Sequence, residues 1–241
     1  MSLVLSPGRD PWSNWTPAQR KRAEWVASMF IQMGRRSHLR GLHYYIVSQE
    51  HDDRLWPDGA EYLNTESDWE KLCAATVWAR YMGIGDWSDL VDRKHPEPSD
   101  HTDYTPYDPT ASFRLTSPTE DSIFAALRQG APVFSTLGLS NYHLEVWVEK
   151  NTMNEQILPA CRKFGAVLQP LVGESSVERA ANAAERILQD GKPCRILYIS
   201  DFDPSGKQMP VSVARKIEFF LLEAGLDVRL RPLALTYEQV R

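Results

Sequence analysis

Cysteine is scarce: Cys73, Cys161 and Cys194 are odd in number, far apart and never spaced as a CxxC pair. That excludes a disulfide framework and a cysteine zinc site, and leaves buried thiols as the simple reading. No apolar run approaches the roughly 18–20 residues that span a bilayer. The opening MSLVLSPGRDPWSNW lacks the basic and apolar regions of a secretory signal. These absences predict an intracellular protein with no membrane partner, cytoplasmic or, in a prokaryote, nucleoid-associated. There is no internal repeat, no low-complexity tract, no histidine pair at metal-ligand spacing and no glycine-rich phosphate loop ending in Gly-Lys-Ser/Thr.

What is present is ordinary for a globular chain of one large or two modest domains: 241 residues, 42% hydrophobic and 10% aromatic. The formal net charge of −5 argues against a protein that simply coats nucleic acid, but the charge is unevenly spread. Residues 16–45 carry Arg20, Lys21, Arg22, Arg35, Arg36 and Arg40 against the single acid Glu24, and this basic segment ends on the pair Tyr44–Tyr45. Residues 46–125 are acidic on balance.

Thr16–Pro17 predicts a helix start, and Val26, Met29, Phe30 and Met33 supply its buried stripe up to Gly34. A second helix, capped by Ser37, is expected through HLRGLHYYIVSQ, weakened by Gly41. A third opens at Asn64 or Thr65 and turns Trp69, Leu72, Cys73 and Thr76 to one face. Three successive helices suggest a helical or winged-helix unit. HPEPSDHTDYTPYDPT, without periodicity, reads as a long loop near a domain boundary.

From about residue 119 helices and strands alternate: EDSIFAALRQ, LEVWV, MNEQILPACRKF, AVLQPLV, SSVERAANAAERILQ, CRILYI, VSVARKIEFFLLEAG and DVRLRPL. Ser175 and Glu178 are placed to form a capping box. Alternation with short connections predicts a parallel-rich sheet covered by helices.

In such a sheet functional groups gather outside the carboxyl ends of the strands. Glu149 directly follows LEVWV, and Asp201 and Asp203 directly follow CRILYI. If the two strands are neighbours, three carboxylates share one edge, and they require a counter-ion. Mg²⁺, a hard oxygen-seeking cation that keeps waters and takes phosphate oxygens, is the natural occupant. Gly206 would let the backbone approach a phosphate, and Lys207 would add a point charge there.

VEK after one strand and YISDFDPSG after another resemble the Toprim domain of topoisomerases, bacterial primases and certain nucleases. More narrowly they are similar to the version in the A subunit of topoisomerase VI and its meiotic double-strand-break relative. The resemblance covers roughly residues 140–236. It implies that Glu149, Asp201 and Asp203 bind Mg²⁺, with Glu149 also catalytic. It further implies an upstream winged-helix domain whose motif is an arginine, three residues and a catalytic tyrosine. RGLHYY supplies Arg40 and Tyr44 at that spacing, with Gly41 where the family usually has an acid. The expected organisation is therefore an α/β protein with a helical N-terminal part. Residues 1–112 would form a winged-helix-like DNA-binding domain carrying the tyrosine, and 113–241 the Toprim domain.

An unassisted phenol is a poor nucleophile, and attack on a phosphodiester builds charge that a metal or arginine neutralises. Arg35, Arg36 and Arg40, with Lys207, would hold the DNA backbone through sequence-independent contacts. Tyr45 is expected in the core, and His43 is read as exposed or beside a phosphate. The resemblance also implies a homodimer in which the tyrosine of one protomer meets the metal site of the other, and a separate ATPase subunit for any ATP-driven step. Two alternatives stay open: a Toprim nuclease in which water attacks, and a DNA-binding subunit without catalysis.

Overall fold

The first helix, α1 (Pro17–Met33), starts as its sequence predicts. Thr16 Oγ1 accepts from the Gln19 N–H at 3.2 Å while Gln19 Oε1 accepts from the Thr16 N–H at 2.8 Å, closing a capping box with Pro17 in the first turn. α2 (Leu39–Val47) is capped by the His38 ring, which accepts from the Gly41 N–H at 3.2 Å, rather than by Ser37. A Cβ at Gly41 would lie 2.1 Å from Ser37 Oγ, which would have to rotate away, and 3.0 Å from the capping His38 Nδ1. α3 (Glu66–Tyr81) is capped by Thr65. The three helices enclose a core of Val26, Phe30, Leu42, Ile46, Trp56 and Leu72. Among the described residues this part has no paired strands that would form a wing; only isolated bridges, Leu55–Glu61 and Ser37–Leu90, tie its loops.

The structure, a computed structural model, describes residues 5–6, 10–102, 141–201 and 203–234. The helix expected over 120–129, the boundary expected at 112 and the closing TYEQVR lie outside them.

Beyond residue 140 the alternation is realised: β1 (His143–Val148), α4 (Asn154–Phe164), β2 (Val167–Pro170), α5 (Val177–Asp190), β3 (Cys194–Ile199), α6 (Pro204–Phe220) and β4 (Val228–Ala234). The four strands are all parallel, in the order β2-β1-β3-β4. Parallel strands need covering on both faces. Trp147, Ile196 and Tyr198 pack with Ala183, Ile187, Val213 and Ile217 beneath α5 and α6, whereas Val148, Leu168 and Ile199 pack with Cys161 of α4. β4 is an edge strand and carries Pro232, which lacks a ladder donor. Among the described residues no helix is long and apolar enough to cross a membrane.

Two details differ from expectation. Ser176, not Ser175, caps α5, accepting from the Arg179 N–H at 3.2 Å. α6 begins at Pro204, well before the expected residue 211, and holds Pro210 inside it. An interior proline cannot donate to the carbonyl four residues back, here that of Gly206. The Ser200 hydroxyl donates to that oxygen at 3.0 Å instead, and so satisfies it from outside the helix.

Residues 92–102 run against the sheet. Ser99 bridges Leu168, and Arg179 of α5, 1% exposed, grips Glu97 and the carbonyls of Asp92 and His95. Tyr81 meets Phe219 edge-on at 5.4 Å, and Arg80 pairs with Glu178 at 3.7 Å, so α3 also contacts this half.

At the amino ends of the strands lies a buried charge cluster. Glu145, fully buried, accepts from Trp147 Nε1 at 2.6 Å and Arg186 Nε at 3.1 Å, and lies 3.2 Å from His143 Nε2; His143 Nδ1 is 3.0 Å from Asp190. Burial pushes the His143 pKa down, but hydrogen bonds and charge from Glu145 and Asp190 outweigh it and raise the pKa above the ordinary histidine value. The raised folded-state pKa gives a contribution to stability that is complete below the unfolded value and lost as pH rises through the folded one. Urea midpoints are therefore expected to fall as pH rises from the ordinary histidine value, about 6.5, through the raised folded-state one, and His143→Gln to flatten that dependence. A midpoint as pH-dependent in the variant as in the parent would remove His143 as the cause.

Candidate functional site

β1 and β3 are neighbours in register, with Val148 opposite Ile199, so the residues that follow them emerge side by side at one carboxyl edge. The Glu149 N–H donates to the Ile199 carbonyl at 2.9 Å, and Glu149 Oε2 accepts from the Asp201 N–H at 2.9 Å. Glu149 is thus tied to the β3 end by its backbone at Ile199 and by its carboxylate at the Asp201 N–H. Glu149 is buried at 8% exposure, while the Asp201 side chain is 42% exposed. Asp203 is exposed and caps α6, accepting from the Gly206 N–H at 2.6 Å.

Lys150, unremarked in the sequence though it directly follows Glu149, pairs its ammonium with Asp201 Oδ2. The hydrogen bond and charge of Asp201, with smaller contributions from Glu149 and Asp203, raise its pKa above the ordinary lysine value. One cation therefore lies in the field of all three carboxylates, as the clustering of acids demands.

Gly206 serves a different purpose from the expected one. A Cβ there would lie 2.2 Å from the Asp201 carbonyl oxygen, so its bare backbone lets the first turn of α6 pack against the strand end. Gly206→Ala is expected to destabilise the fold by about 1–3 kcal/mol through overpacking. Urea unfolding measures this, and an unchanged midpoint would show that the turn yields freely.

The donors suit Mg²⁺ in type and number: one or two carboxylates at an accessible edge, leaving positions for water and phosphate, are its usual protein ligands. Glu149 and Asp201 are of that type, with Glu149 8% exposed and Oε2 on the Asp201 N–H, and with Asp201 Oδ2 paired to Lys150. Asp203 is engaged as a helix cap, and among the described residues no three His, Cys, Asp or Glu side chains are grouped closely enough to chelate a metal.

On α2, Tyr44 is 57% exposed and Arg40 lies one turn before it, its guanidinium 3.9 Å over the Trp69 ring. Tyr45 is half-buried against the helical core. His43 is neither exposed nor beside an open phosphate position: it is 1% exposed, with Nδ1 2.7 Å from Tyr62 Oη and Nε2 2.9 Å from Asn64 Oδ1. The reason is helical period, since His43 shares the inward face with Leu42 and Ile46. Arg35 and Arg36 are exposed in the turn between α1 and α2, and Lys207 is exposed on the first turn of α6. The structure thus brings Glu149 and Asp201 together, with Asp203 close by. Among the described contacts none joins Tyr44 to these carboxylates.

Compared with known proteins, the chain matches no family model, no curated protein and no solved structure.

Proposed function

We propose that the chain breaks DNA strands by Mg²⁺-dependent transesterification, in the manner of the topoisomerase VI A subunit that its motifs resemble. The observation that carries this reading is the hydrogen-bonded pair Glu149 and Asp201 at the ends of adjacent parallel strands, with a cation already drawn to it. Glu149 and Asp201 would hold the metal, joined by Asp203 if its cap opens. Mg²⁺ bound there supplies positive charge to a phosphodiester and its leaving oxygen.

Tyr44 Oη attacks the phosphorus. Tyr44 gives up its phenol proton to solvent as the phosphotyrosine bond forms, one P–O bond to deoxyribose breaks, and the departing deoxyribose oxygen takes up a proton to become a hydroxyl. Resealing reverses these steps without external energy. Arg40 flanks the attack one turn away, while Arg35, Arg36 and Lys207 hold backbone phosphates. A homodimer would unite Tyr44 of one protomer with the carboxylates of its partner, and ATP-driven strand passage would require a separate ATPase subunit. A second reading, a nuclease in which water attacks, rests on the same Glu149–Asp201 pair and needs no tyrosine; a DNA-binding subunit without chemistry is the third.

Supercoiled DNA incubated with the protein is expected to be nicked or linearised with Mg²⁺ and left intact in EDTA, and Asp201→Asn is expected to abolish breakage. Breakage that persists in EDTA or in the variant contradicts the metal site. DNA binding alone under every condition supports the third reading.

A further inference from the structure

Each carboxylate at the ends of β1 and β3 already has a partner on one oxygen. Glu149 Oε2 accepts from the Asp201 N–H at 2.9 Å, Asp203 Oδ1 accepts from the Gly206 N–H at 2.6 Å, and Asp201 Oδ2 is paired with the Lys150 ammonium. The first two partners are backbone dipoles, fixed by the strand end and by the first turn of α6. They can stay while a cation takes other lone pairs, since an ionised carboxylate offers about four acceptor sites. The third partner is different in kind: a full positive charge on a flexible four-carbon stem.

The fold fixes where that stem begins and leaves its end movable. The Lys150 backbone bridges Val172 in the chain that follows β2, and its carbonyl accepts from the Met153 N–H at 3.2 Å. The side chain is 56% exposed, so the ammonium can leave Asp201 for water without disturbing packed atoms.

We infer that Lys150 holds the place of the metal at this edge and leaves Asp201 when the ion arrives. The inference rests on the metal reading above and adds its regulation. Without Mg²⁺ the ammonium offsets the mutual repulsion of the three carboxylates. With Mg²⁺ the two cations compete for the Asp201 carboxylate and repel each other. A compact divalent ion that prefers oxygen ligands displaces the ammonium once it is abundant enough. Lys150 thereby sets the Mg²⁺ concentration at which the edge fills, and keeps it closed to the ion below that concentration.

The test is titration of the full chain with MnCl₂, Mn²⁺ being an oxygen-seeking stand-in for Mg²⁺, read by the electron paramagnetic resonance signal of the unbound ion. No DNA or cleavage is involved. An exposed ion pair competes by up to about fivefold, and repulsion between the cations adds to that, so Lys150→Met should bind Mn²⁺ about tenfold more tightly than the parent. Lys150→Arg, which keeps the charge, should stay near the parent value, and Asp201→Asn should lose most of the binding. A merely structural lysine would give the opposite sign, because its loss would loosen the edge. Equal or weaker binding by Lys150→Met overturns the inference and leaves the metal site standing. No saturable binding by either protein at millimolar Mn²⁺, or binding unchanged in Asp201→Asn, removes the metal site from this edge and the inference with it.

Discussion

Glu149→Gln is expected to lower Mg²⁺-dependent DNA breakage about a hundred- to thousandfold while leaving the fold intact. The substitution is isosteric, and the amide oxygen can still accept from the Asp201 N–H, the bond that aligns the two strand ends. What disappears is a negative charge held at 8% exposure beside Asp201 and Asp203. Such a charge is unfavourable in an apo protein and useful only with a cation. The urea midpoint of the variant without metal should therefore be equal to or above that of the parent, while initial nicking rates collapse. Full activity in the variant would remove Glu149 from the chemistry, and a large loss of stability would assign it a purely structural role.

Arg179→Ala is expected to destabilise the protein by about 3 kcal/mol, the lower end of the range for breaking a buried ion pair. Its guanidinium spends four hydrogen bonds on the 92–97 segment: 2.7 and 3.0 Å to the Glu97 carboxylate, 2.8 Å to the His95 carbonyl and 3.1 Å to the Asp92 carbonyl. Removal leaves a void and strands two carbonyls beneath α5. The Glu97 side chain is 72% exposed, so its charge returns to water, which keeps the loss from being larger. Lysine cannot replace the bidentate fork, so Arg179→Lys should recover less than half of the loss. Urea unfolding decides. A change below about 1 kcal/mol would mean that the segment is not anchored through Arg179.

The alternating part of the chain was legible because both periods were written plainly. CRILYI and LEVWV read as strands, and their parallel adjacency puts Glu149 and Asp201 where the sequence placed them. What failed to show was non-local. Pro210 reads as a helix breaker until the Ser200 hydroxyl is seen to satisfy the Gly206 carbonyl, which lets α6 start at Pro204, capped by Asp203, rather than beyond Pro210. His43 looked like a surface group because a nine-residue helix with three aromatic or imidazole rings in a row does not declare which ring faces in; Tyr62 and Asn64 decide that from another loop. Lys150 was hidden by its own simplicity, a lysine after a glutamate whose role depends on Asp201 from a different strand. The cap on α5 moved by one residue because adjacent serines offer the same hydroxyl, and only backbone geometry selects Ser176.

The most direct measurement is the nature of the broken end. End-labelled DNA incubated with protein and Mg²⁺ or Mn²⁺ is run on denaturing gels with and without protease, for the parent chain and Tyr44→Phe. Labelled DNA that shifts to its cleaved length only after proteolysis, and that is absent for Tyr44→Phe, is the predicted result: protein bound covalently through Tyr44 at a metal-dependent break. Free ends of equal yield in both proteins would contradict it, and would assign the carboxylate edge to a nuclease in which water attacks.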